Sequence, residues 1–135
     1  MDNEKFKKIK DRYTDFLLWN KDNVDEKICN IASEYAFFQQ LYISTSRKKS
    51  IVIQEMEELW QGKWKYYKHN FDDNLNNTEI KSFIEKDLDI LKMRSTITTH
   101  EIYMNFFEEC MKNINQLRWD IKSYIDYKKF QAGLH

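Results

Sequence analysis

The chain has 135 residues, 41% of them apolar and 33% charged, with 22 basic side chains balanced by 22 acidic ones. That is about one domain's worth of soluble, globular composition, and a net charge of zero excludes a chain that holds nucleic acid by overall charge alone. There is no proline, and the two glycines are Gly62 and Gly133, which excludes a sheet of tight hairpins and leaves helices.

The N-terminus, Met1 to Lys10, is charged and does not read as a targeting segment, and no run reaches the ~20 apolar residues that a membrane span needs. Phe6, Ile9, Tyr13, Phe16 and Leu17 recur at threes and fours, which predicts an N-terminal helix within residues 1–20, capped by Asp2 or Asn3. Its other face carries Lys5, Lys7, Lys8, Lys10 and Arg12, and Asn20 to Asn23 form the connection. Residues 24–69 carry the most regular pattern. Val24, Ile28, Ile31, Tyr35, Phe38, Tyr42, Thr45, Lys49, Val52, Met56, Leu59, Lys63 and Tyr66 step by four and three, the seam of a coiled coil or a long bundle helix. The seam weakens at Thr45 and Lys49, inside the polar stretch 44–50, where a break between two helices and a solvated patch in one helix are both open. Residues 70–77 are rich in Asn and Asp and read as a loop. Thr78 is then expected to cap a helix with Ile80, Phe83, Ile84, Asp87, Leu88 and Leu91 on one face. Thr98 and Glu101 have the spacing of a capping box, which predicts a last helix through Ile102, Phe106, Cys110, Ile114, Leu117, Ile121 and Ile125. Gly133 stands where a C-terminal cap glycine belongs. The whole, residues 1–135, reads as one all-α domain of long amphipathic helices in a bundle, with C-terminal helices over 78–133.

Charge is sorted along the chain although it cancels overall. Between Leu41 and Phe71, Arg47, Lys48, Lys49, Lys63, Lys65 and Lys68 face only Glu55, Glu57 and Glu58, and Asp72, Asp73, Glu79, Glu85, Asp87 and Asp89 follow. Trp60, Trp64, Tyr66 and Tyr67 are interleaved with Lys63, Lys65 and Lys68. Bases stack on aromatic faces for ~1–3 kcal/mol each while lysines track the phosphates, so this cluster suits a single-strand binder without sequence preference. A helix ending in a wet aromatic patch would read the same way. Arg47, Lys48 and Lys49 extend the positive track, Trp64 and Tyr67 are the stacking candidates, and Tyr66, continuing the heptad, is the poorest one.

No enzyme is expected. His69, His100 and His135 are scattered without a metal-ligand spacing, and no phosphate-cradling glycine loop, HExxH or GxSxG is present, so neither metal nor cofactor is expected. Cys29 and Cys110 are far apart, without a CxxC, and read as thiols of a reducing cytosol. Arg94 and His100 match the loose Arg-x4-6-His spacing of HEPN-type ribonucleases, a two-residue pattern that arises often by chance. The residues also suit a helical oligomeric adaptor or structural protein with no nucleic-acid role, from which a strong, salt-sensitive affinity for single strands would separate a DNA binder.

The stretch Thr78-Glu79-Ile80-Lys81-x-x-Ile84-x-x-Asp87-x-Asp89-Ile90-Leu91-Lys92, then Trp119-x-Ile121-Lys122-x-x-Ile125 and Phe130-x-Ala132-Gly133, resembles the UvsY recombination mediators of T-even-like bacteriophages. Trp64-x-Tyr66-Tyr67 is similar to the family's hydrophobic-x-Tyr-Tyr, so the resemblance runs from about Trp60 to Gly133. It implies a helical protomer in a closed homo-oligomer, a hexamer or heptamer, in the cytoplasm of the infected host. It also implies binding of single-stranded DNA, of the phage's single-strand-binding protein and of its RecA-like recombinase, which the family helps to displace the former. The family's basic pair before Tyr-Tyr falls on Gln61 and Lys63, of which only the second is basic. Val24, Ile28, Ile31, Tyr35, Phe38, Val52, Met56 and Leu59 are the apolar seam expected to serve the core or the subunit contacts.

Overall fold

A computed structural model describes residues 1–70 and 74–133. Among these residues the chain forms α1 (Asn3–Leu17), α2 (Val24–Lys65), a π-helical turn (Tyr66–Asn70), α3 (Asn77–Glu85) and α4 (Leu88–Gln131), with no strand. The all-helical reading therefore holds. Phe71, Asp72 and Asp73 of the expected loop, and His135, lie outside the described residues.

The chain divides into two compact units, one of residues 1–41 with 106–135 and one of residues 42–105, so α2 and α4 each contribute to both. In the first unit α1 starts on Asp2, whose carboxylate accepts the Lys5 N–H at 2.6 Å, and stops at Leu17. The Asn20 side chain then accepts the N–H groups of Asp22 and Asn23, an Asx turn that ends one helix and aims the next. Ile9, Phe16, Val24, Ile31, Phe38, Phe107, Cys110, Ile114, Leu117 and Ile121 form the buried core. Edge-to-face contacts of Tyr13 with Phe38 and Phe106, at 6.0 and 5.7 Å, lock α1 onto it. At the rim Arg12 binds the Glu34 carboxylate at 2.6 Å and lies flat on the Phe37 ring.

The second unit is built on Ile80, Ile84 and Ile90, all fully buried, against which Met56, Leu59, Trp60, Trp64, Tyr67 and Leu75 pack. Two caps position it. Asn76, not Thr78, begins α3: its side chain accepts the Glu79 N–H at 2.9 Å, and Glu79 accepts the Asn76 N–H at 3.4 Å. Asp87 begins α4, its Oδ1 accepting the N–H groups of Asp89 and Ile90 at 2.9 and 3.3 Å. That cap ends α3 at Glu85 and leaves Leu88 exposed rather than on the helix's apolar face.

Two polar stretches that sequence leaves as breaks or starts remain inside helices. Through 44–50 α2 is continuous, because Ser50 Oγ donates to the Ser46 carbonyl at 3.1 Å, Thr45 is buried and no proline or glycine interrupts. No helix starts at Thr98. Its hydroxyl donates back to the Arg94 carbonyl at 3.0 Å, as Thr96 and Thr99 do to Lys92 and Ser95, so the capping-box spacing is consumed inside α4. Gly133 has φ of 73°, the left-handed conformation that glycine adopts freely just past a helix end.

Candidate nucleic-acid interface

The outward face of α2 in the second unit begins with Arg47 and Lys48 and ends with Lys65 and Tyr66, all exposed. The two dipeptides are five helical turns apart, so Arg47 aligns with Lys65 and Lys48 with Tyr66, about 27 Å along the axis. Ile51, Gln54, Glu55, Glu58, Gln61 and Gly62 lie between them on the same face, also exposed. Two glutamates thus interrupt the positive track.

The track ends at a groove of about 440 Å³ lined by Glu58, Leu59, Gly62, Lys63, Tyr66 and Tyr67. Gly62 leaves it open, since a Cβ there would meet nothing within 4 Å. The π-helical turn then widens the backbone at Tyr66–Asn70 and sets the Tyr66 and Tyr67 rings edge to face at 5.2 Å. Tyr67 in turn stacks on Phe83 of α3 at 5.6 Å, with the rings 20° from parallel. Tyr66 is 50% exposed. An apolar floor, π faces and lysines at the edge can hold unstacked bases with their phosphates.

The residues singled out from sequence are divided by their partners. Arg47, Lys48 and Lys65 are exposed and make no ion pair among the described residues. Lys68 is exposed on the π-helical turn, its ammonium 3.2 Å from the Asn77 side-chain oxygen. Lys49 pairs with Glu101 at 3.1 Å and Lys63 with Asp87 at 2.8 Å. The hydrogen bond that the Lys63 ammonium donates to Asp87 holds that ammonium above its ordinary pKa, against the cost of burial, and the same bond holds the Asp87 carboxyl below its own. Trp64 packs against the Ile80–Ile84–Ile90 core, as Tyr67 does by one side. Tyr66, expected to be the poorest stacking candidate, is the more exposed tyrosine, and Gly62 and Glu58 also line the groove. The signal for Gly62 was present: a lone glycine inside a helix, beside aromatic and basic residues.

Of the apolar seam, Val24, Ile31 and Phe38 are buried in the first unit's own core, and Tyr35 is half-buried. Ile28 is exposed and lines an apolar groove of about 430 Å³ with Ile121 and Ile125. Val52, Met56 and Leu59 are half-buried in the second unit, the last two against its isoleucines.

Arg94 and His100 do not converge. Both sit on continuous α4, about 120° apart around its axis, and the Arg94 guanidinium lies 5.9 Å from the Trp60 ring centre. Burial, with Lys48 nearby, depresses the His100 pKa. No group of side chains among the described residues could hold a metal ion, and none of these helices is long and apolar enough to cross a membrane.

The chain is all-helical, and its exposed basic strip ends in an aromatic groove, a combination of charge and π faces that suits single strands in general. The family model for the recombination, repair and ssDNA binding protein UvsY matches residues 8–134, and the chain belongs to that family. Its fold is similar to crystal structures of the bacteriophage T4 recombination mediator protein UvsY. The lattice type II form superposes with a TM-score of 0.82 at 16% identity, covering 98% of each chain. The type IV form gives 0.81 at 14% identity, covering 93% of this chain and 97% of that one. The type I form gives 0.81 at 15% identity, covering 92% and 98%. A search of curated proteins gave no match.

Proposed function

We propose that the chain is a non-enzymatic recombination mediator that binds single-stranded DNA and helps load a RecA-like recombinase by displacing single-strand-binding protein. The observation that carries this reading is the α2 strip, where Arg47 and Lys48 lie in register with Lys65 and Tyr66 and lead into the Gly62–Tyr66–Tyr67 groove. The DNA backbone runs along the strip, its phosphates met by Arg47, Lys48, Lys65 and Lys68, and bases enter the groove. Lys49 and Lys63 stand beside the strip, held in ion pairs with Glu101 and Asp87. Family membership supports the same role, and the proposed setting of its action is the cytoplasm of the infected bacterium.

The protomer is neutral and its strip is interrupted by Glu55 and Glu58, so one copy holds a strand weakly. A homo-oligomer, a hexamer or heptamer, repeats the strip and adds many weak contacts through multivalency. Since Val24, Ile31 and Phe38 are consumed inside the protomer, subunit contacts fall to exposed apolar side chains: Ile28 at its groove, with Trp119, Tyr127 and Phe130 on the last turns of α4.

The test is a recombinase assay. On single-stranded DNA precoated with the phage single-strand-binding protein, the chain should restore the recombinase's DNA-dependent ATP hydrolysis, and Lys65→Ala with Lys68→Ala should restore much less. A chain that binds DNA yet leaves the coated template silent would refute recombinase loading and leave only the binding role.

A further inference from the structure

Lys63 lines the aromatic groove, and from sequence it is one of the lysines expected to meet a phosphate. Its surroundings say otherwise. The ammonium lies 2.8 Å from Asp87 Oδ2, and three-quarters or more of each side chain is withdrawn from solvent, with 24% of Lys63 and 18% of Asp87 accessible. The other oxygen of the same carboxylate caps α4 by accepting the N–H groups of Asp89 and Ile90. Asp87 N–H also donates to the Ile84 carbonyl at 3.0 Å, so this one residue ends α3 and begins α4. Ile84 and Ile90, on either side of it, are the fully buried isoleucines on which Tyr67 and Trp64 rest. One ion pair therefore joins the end of α2 to the joint that supports the groove's tyrosine. A phosphate reaching Lys63 would have to share the ammonium with a carboxylate already fixed by two backbone donors and would meet its negative charge.

Resting on the single-strand reading above, we propose that Lys63 is a positioning residue for the groove, holding Tyr67 and Phe83 in stacking register through Asp87, and is not itself a phosphate contact. The phosphate contacts belong to the exposed lysines that follow it in sequence, Lys65 and Lys68, and to Arg47 and Lys48 before it.

The two roles separate in a salt series. The slope of log affinity against log salt counts phosphate contacts, at ~0.7 for each one on a single strand, and extrapolation to about 1 M salt leaves the stacking contribution. Fluorescein-labelled oligo-dT would be titrated with wild type, Lys63→Met, Lys63→Arg and Asp87→Asn. Methionine keeps the apolar stem of the lysine, and asparagine still caps a helix while losing the charge. Lys63→Met and Asp87→Asn should both keep the wild-type slope and lose about fivefold or more of the extrapolated affinity, the worth of a partly lost stacking contact. Lys63→Arg, which keeps the pair, should match wild type in both. If Lys63→Met does not fold, the other two variants still decide. A shallower slope in Lys63→Met, or tighter and steeper binding in Asp87→Asn, means that Lys63 meets phosphate and overturns the assignment. Lys63→Met unchanged in both quantities makes the pair a bystander and overturns it too. If the wild type fails to bind oligo-dT at any salt, the single-strand reading itself falls.

Discussion

Glu58 lines the groove beside Lys63 and Tyr66 and is exposed on the same face as Arg47 and Lys65. Its carboxylate opposes an incoming phosphate, and at a separation of roughly 6 Å in water that repulsion is worth about 0.7 kcal/mol. Glu58→Gln is therefore expected to tighten oligo-dT binding about threefold per engaged subunit at low salt, and anisotropy titration measures it directly. The two thiols should also part company. Cys29 is exposed, whereas Cys110 is fully buried and burial pushes its thiol up to about 12, so one thiol per chain should react with a maleimide in the native state and two after unfolding. Two fast thiols would mean that the first unit's core is open. At this scale the sequence pattern gathers residues that line or flank one groove, but the exposure of two of them is exchanged: Tyr66 is exposed and Trp64 packs on the isoleucines. Tyr66 follows the heptad of Val24 and Lys63, but Met56, Trp60, Trp64 and Tyr67 form a second stripe, and Ile80, Ile84 and Ile90 dock on that stripe. Nothing in α2's own periodicity says on which side α3 and α4 will pack.

The helices owe their boundaries to a few side-chain caps, and these were the least legible elements. Asn76-x-x-Glu79 and Thr98-x-x-Glu101 have the same spacing, yet only the first caps a helix. The difference lies in what precedes each: Asn-rich, weakly helical sequence before Asn76, and, before Thr98, a run from Leu88 to Ile97 that holds Leu91, Lys92, Met93 and Arg94 and no glycine or proline. A serine or threonine inside such a run donates back one turn and stays helical. Asn76→Ala should accordingly cost about 1 kcal/mol of stability, while Thr98→Ala, which removes no cap, should cost well under half of that. The same denaturation series should show Ile84→Ala losing about 2–5 kcal/mol, because the side chain is fully buried in the smaller of the two apolar clusters. An Ile84→Ala loss below 1 kcal/mol would mean that the second unit's core does not carry the support assigned to it. pH acts through His100, whose depressed pKa means the unfolded chain binds the proton more readily. Its contribution is present above the unfolded value near 6.5 and is lost as pH falls below it, so the melting temperature should drop between pH 7 and 5.5 and drop less in His100→Gln.

For the whole molecule, a balanced net charge hides a basic strip, and an all-helical composition without proline made the fold class readable at once. The partition into two units was not readable, because α2 and α4 serve both and no composition shift marks the division. The four-three seam was legible as a pattern and ambiguous in purpose: Val24, Ile31 and Phe38 satisfy it within the protomer, so the repeat does not by itself require partners. Assembly is therefore best measured outright, and native mass spectrometry at micromolar concentration is expected to give a single species of six or seven copies, with a monomer contradicting the proposal. The central claim, that the α2 strip and its aromatic groove hold single-stranded DNA, is tested most directly by titrating labelled oligo-dT with wild type and with Lys65→Ala/Lys68→Ala across a salt series. The wild type should bind with a steep, linear fall of log affinity against log salt. The double variant should keep its helix content and oligomer size while its slope shrinks by ~1.4 for each subunit on the strand, two contacts at ~0.7 each. Unchanged affinity and slope in the double variant would put the DNA elsewhere on the molecule and leave the aromatic cluster as packing alone.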